Sequence, residues 1–151
     1  MGQMSRLYEV SHFVYRLRIQ MRFGELSRAP LKLLRLQLEG DSAECDWMAR
    51  PPDIWDDDLS SEARERNASL QTLEDAIAVR GLLLHALPDI QSATVRVYRQ
   101  TKEEPAELMM TGTIAREDEV TVRVLSVAMR AKLFGFRFLM DNGILQPLQS
   151  S

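Results

Sequence analysis

One cysteine, two histidines and seven glycines leave this chain of 151 residues little of the usual equipment for chemistry. With Cys45 alone, no disulfide can close within the chain, which fits a reducing compartment. The histidines, His12 and His85, have no metal-ligand neighbour at a usual spacing. His85 falls in a leucine-rich stretch and reads as a packed structural histidine, and His12 as a surface residue. The glycines are spread thinly, and no G-x-G-x-x-G or Walker loop occurs to cradle a phosphate. Neither a G-x-S-x-G elbow nor an H-E-x-x-H helix is present. No apolar run approaches the ~20 residues that span a bilayer. Met1 to Leu7 lacks the apolar core of a signal peptide, and Arg6 stands where a myristoylation pattern after Gly2 needs Ser or Thr. Net charge is −3, so the chain as a whole exerts no pull on nucleic acid or anionic lipid. These absences point to a soluble cytoplasmic protein with no membrane contact and no cofactor, and away from an enzyme.

What is present is ordinary globular material: 45% hydrophobic and 27% charged residues. The length suits one domain over residues 1–151, large enough to bury roughly two thirds of its unfolded surface. The first ten residues read as a disordered tail.

Six apolar residues, Phe13, Tyr15, Leu17, Ile19, Met21 and Phe23, alternate with Val14, Arg16, Arg18, Gln20 and Arg22. Period two predicts a long half-buried strand. Gly24 and Ala29-Pro30 end it. A second strand follows over Leu31–Glu39, with a bulge or twist where Leu33-Leu34 breaks alternation. Gly40-Asp41 turns the chain into a third strand, Ala43–Ala49, with Ala43, Cys45, Trp47 and Ala49 on one face. Arg50-Pro51-Pro52 must be loop, because two prolines remove two ladder donors.

Ser60 to Leu87 reads as a long helix. Ala63, Leu70, Leu73, Ile77 and Leu84 form its stripe, acidic residues crowd its start, and Pro88 stops it. Its C-terminal half is apolar nearly all round, as for a helix buried on several sides. Ala93–Gln100 and Glu107–Ala115 read as a hairpin around a turn at Lys102–Pro105. From Glu119 to Phe134 a second helix is expected with Gly135 as its C-cap. A strand through Val120, Val122 and Val124 is the rival reading. Phe136–Met140 and Ile144–Leu148 complete the set around Asp141-Asn142-Gly143. The expected fold is α+β: an antiparallel sheet in the order βββ-α-ββ-α-β(β), packed by one long and one shorter helix.

Two surfaces carry the candidate chemistry. Arg16, Arg18 and Arg22 would share one face of the first strand, near Lys32. Residues 1–38 hold seven Lys/Arg against two acids, and residues 51–75 hold two against eight. A basic strand face can meet phosphates, but the aromatics of this strand lie on its other side. The plainer reading is a solvated face paired to acids such as Glu44 and Asp46. The same segregation also favours self-association, basic sheet against acidic loop. The second surface is that loop: Asp46, Asp53, Asp56, Asp57 and Asp58 fall within thirteen residues. Carboxylates suit Mg²⁺ or Ca²⁺, yet no D-x-[DN]-x-[DN]-G pattern follows. A solvated loop complementing the next helix is the plainer reading. Trp47 and Trp55 flank the run, one suited to anchor it on the core, an exposed one to mark a contact.

The second half, an α-β-β-α-β pattern with Leu108-Met109-Met110-Thr111-Gly112-Thr113-Ile114 before an acidic helix start, resembles the BON-type module. The resemblance implies a small lipid- or ligand-contacting interaction domain. It covers about half of the chain and leaves the leading sheet outside. The expectation is a non-enzymatic interaction or assembly module, self-associating or bound to a protein partner. The candidate residues are Arg16, Arg18, Arg22, Lys32, Trp47 and Trp55. The alternatives are a nucleic-acid-binding domain on the basic face and a small-molecule or metal-dependent enzyme using the Asp46–Asp58 carboxylates.

Overall fold

A computed structural model describes residues 2–100, 105–116 and 126–148. Its elements run α1 (Gly2–Gln20), β1 (Lys32–Glu39), β2 (Ser42–Met48), a 3₁₀ turn (Ile54–Asp56), α2 (Ser61–Ala86), β3 (Ser92–Arg99), β4 (Glu107–Ala115), α3 (Val127–Leu133), β5 (Phe136–Asp141) and β6 (Ile144–Gln146). The expected turn at Lys102–Pro105 falls for the most part outside the described residues. So do Val120, Val122 and Val124, on which the helix and strand readings differ.

The N-terminus departs from the sequence reading. The expected strand over Phe13–Phe23 is the second half of α1 and the turn after it, and the helix reaches back to Gly2 through the segment read as a tail. The reason lies in the pattern itself. A period-two run of apolar residues is also two interleaved i, i+4 series on opposite sides of a helix. Phe13, Leu17 and Met21 form one series and are buried; Tyr15, Ile19 and Phe23 form the other and are exposed. Residue type favours the helix, because the segment is rich in Leu, Met, Arg and Gln and has few β-branched residues.

The sheet has six strands in the order β1-β2-β3-β4-β5-β6. It is mixed, not purely antiparallel: β2 and β3 run parallel, joined through α2, and the other neighbours are antiparallel. Sequence patterns foresaw the strands but not this pairing, since a long helical crossover between them permits a parallel return. The irregular register between Leu33 and Arg35 matches the break at Leu33-Leu34. At the last hairpin Asn142 and Gly143 both have positive φ, 53° and 78°, the primed turn that an Asn-Gly pair supplies.

Register sorts the side chains into rows. Leu38–Ala43–Ala93–Ile114, Leu36–Cys45–Val95–Gly112–Phe136 and Leu33–Trp47–Val97–Met110–Phe138 cross the inner face. Together with Phe13 and Leu17 of α1, Met21 just after it, and Leu73, Ala76, Val79 and Leu83 of α2, these rows form one apolar core. Gly112 is required in its row: a Cβ there would lie 2.5 Å from the Gly135 carbonyl oxygen. The outer face is polar, as a mostly antiparallel sheet open to water on one side allows. Its central row is Arg35–Asp46–Arg96–Thr111–Arg137.

Within the helix layer α2 touches α1 and α3. Ser60 caps α2, its hydroxyl accepting from the Ala63 amide at 3.1 Å. A buried polar network ties α2 to the loops on either side. Arg50 donates to both Asp75 oxygens, at 2.7 and 3.3 Å, and to the Ala29 carbonyl at 2.6 Å. Gln71 donates to Asp75 and accepts from the Leu26 amide. Buried charges persist only when paired in this way.

Candidate functional site

α1 packs against α2 and carries apolar residues on two sides. Tyr8, Tyr15, Ile19 and Phe23 are 74%, 64%, 57% and 65% exposed, and they follow one another along the face that looks away from the core. Aromatic contacts extend the stripe: the Tyr8 and His12 rings lie parallel, 6.2 Å apart, and the Arg22 guanidinium sits 5.2 Å from the Phe23 ring centre. A shallow groove of about 520 Å³ opens where Arg18, Ile19, Arg22, Phe23 and Pro30 meet. Ordinary surfaces scatter such residues singly; a contiguous row marks a contact site. The sequence reading assigned Tyr15, Ile19 and Phe23 to the core side of a strand and so missed this face. The scarcity of β-branched residues in the segment was the available signal.

The predicted basic face is rearranged. Arg16 and Arg18 sit two residues apart on a helix, about 200° around its axis, and so do not share a side. Arg18 and Arg22, the latter in the turn after the helix, both line the groove beside Phe23. Lys32 lies on β1 instead. Trp47 is not available to a partner: it is 1% exposed, in the inner row of β2. Trp55 is exposed, with the Arg28 guanidinium 5.3 Å from its ring centre.

The acidic run is dispersed rather than gathered. Asp53 caps the 3₁₀ turn by accepting from the Trp55 amide at 2.9 Å, and it accepts from the Arg28 amide at 3.0 Å. Asp56 accepts from Asn67, Asp57 lies 3.5 Å from Arg64, and Asp58 is exposed. Asp46 stands on the outer sheet face between Arg35 and Arg96. Among the described residues no three His, Cys, Asp or Glu side chains come together as a metal site.

The nucleophile candidates are also apart from any chemistry. Cys45 is fully buried in the inner row of β2, and burial, then the neighbouring Asp46 carboxylate, pushes its thiol from 9.0 up to about 12. A thiol held protonated this way is a packing residue. His85 is exposed on α2, not packed as its leucine-rich surroundings predict.

A partly enclosed cavity of about 470 Å³ lies at the ends of β2, β3 and β4. Met48, Met109 and Leu145 are among its apolar walls, and Glu65, Arg99 and Glu107 are its charged groups besides the buried Arg50. The sequence could not have shown it, because its lining comes from elements far apart in the chain.

No family model, curated protein or solved structure matches this chain. Among the described residues no helix is long and apolar enough to cross a membrane.

Proposed function

We infer that this protein is a non-enzymatic assembly module whose contact surface is the outward side of α1 and whose partner there is a second copy of the same chain. The observation that carries the reading is the row of Tyr8, Tyr15 and Ile19 on α1 and Phe23 in the turn after it, each more than half exposed while the other side of the helix is core. An aromatic side chain buries about 150–250 Å², so the row offers roughly 500 Å² of apolar surface. That is more than half of the ~800 Å² each partner contributes to a stable interface.

Charge favours a two-fold, antiparallel pairing of α1 with itself. Arg16 and Arg18 lie in its C-terminal half, with Arg22 just beyond its end, while its N-terminal half holds one base, Arg6, and one acid, Glu9. A parallel pair would stack the arginines on their own mates; an antiparallel pair sets each basic end against a half with no net charge. Within one chain the acidic loop already engages one base, Arg28, through Asp53.

Sedimentation equilibrium tests the reading. The expected result is a mass of twice 17.3 kDa for the native chain and 17.3 kDa for Ile19→Asp. A native mass of 17.3 kDa at every concentration would overturn it, the more so if the chain sediments with anionic vesicles, since a basic helix with an apolar face also suits a membrane surface.

A further inference from the structure

The cavity beside α2 has the makings of a ligand site. It lies at the carboxyl ends of the two parallel strands, β2 and β3, against the N-terminal half of the helix that joins them. In sheets with parallel strands, ligands settle outside the carboxyl ends. Its volume, about 470 Å³, falls within the range of small-molecule sites.

The walls divide by chemistry. Met48, Ala49, Ala68, Met109 and Leu145 supply an apolar interior. At its charged side stands Arg99, with its guanidinium 3.3 Å from Glu107, 3.9 Å from Glu65 and 3.5 Å from the Leu145 carbonyl oxygen. These distances are at the outer edge of hydrogen bonding, so the guanidinium is shared loosely. Two carboxylates share one cation, which leaves one negative charge in excess among these three groups. Ser69 is buried in the wall, where its oxygen accepts from the Leu145 amide at 2.9 Å and holds β6 against α2.

We propose that this cavity binds a small organic cation, an apolar body carrying a primary amine, with the ammonium on the cavity side of the Glu65 and Glu107 carboxylates, beside Arg99, and the body against Met48, Met109 and Leu145. The excess carboxylate selects the sign of the ligand, and the apolar walls select its body. Binding here is independent of α1 pairing, because no residue of α1 lines the cavity.

Titration followed by amide and methyl resonances tests the proposal, with 2-phenylethylamine and its carboxylate counterpart 3-phenylpropanoate as probes at matched ionic strength. The expected result is saturable shifts at Ser69, Met109 and Leu145 with the amine and none there with the carboxylate. Glu65→Gln with Glu107→Gln should weaken the amine roughly tenfold. Both positions are partly exposed, so the double variant should keep its fold, checked by its amide spectrum. Arg99→Gln should leave amine binding intact or tighter. Absent shifts, equal or tighter binding of the carboxylate, or amine binding unchanged in the double variant would overturn the proposal.

Discussion

α1 and α2 are neighbours in one helix layer, yet they distribute apolar residues in opposite ways. α2 is buried on several sides, and even its polar residues Gln71, Thr72 and Asp75 lie inside and are bonded there. α1 and the turn after it bury Phe13, Leu17 and Met21 and leave an equally apolar row in water. A helix surrounded by its own chain has completed its packing. A helix with a second apolar row has completed half, and the remainder is what a partner would cover.

The largest expected effect breaks the α2 side. Asp75→Ala leaves the Arg50 guanidinium buried without its carboxylate and should lower unfolding stability by about 3–5 kcal/mol in urea titration. Phe13→Ala tests the inner row of α1. It opens a cavity at a fully buried site and should also cost about 3–5 kcal/mol. Had residues 13–23 formed a strand, Phe13 and Tyr15 would share a face and behave alike. In the helix they differ.

Cys45 sharpens the contrast between interior and surface through pH. Its thiol is raised in the fold, so the folded state holds the proton that the unfolded chain releases near 9.0. The contribution is therefore complete below 9.0 and is lost as pH rises from there towards about 12. Urea midpoints for the native chain and Cys45→Ala across that range should converge as this term is lost. Removing the α2 cap by Ser60→Ala should cost about 1 kcal/mol. The smallest effect belongs to the outer row: Tyr15→Ala should change the stability of the single chain by no more than about 0.5 kcal/mol, while it weakens pairing.

Much of this architecture was legible in the sequence. Apolar segments between turn signals located β1 to β4, the Asn142-Gly143 pair marked the last hairpin, and Ser60 and Pro88 bracketed α2. The strand partners were not legible, because alternation says which residues share a face and nothing about which strand lies alongside. The N-terminal segment was misread because two i, i+4 series in register imitate a strand. The α1 surface was hidden by that misreading, and the cavity by its assembly from β2, α2, β3, β4 and β6.

Cross-linking through position 15 tests the pairing of α1 most directly. Tyr15 lies near the middle of the outer row, so an antiparallel pair sets it close to its own mate, whereas Tyr8 and its mate would stand about 20 Å apart at 1.5 Å per residue. Cys45 is buried with a raised thiol and will not compete. Under mild oxidation Tyr15→Cys is expected to give a disulfide-linked dimer in high yield and Tyr8→Cys little. Equal yields from both positions, or none from Tyr15→Cys, would contradict the account.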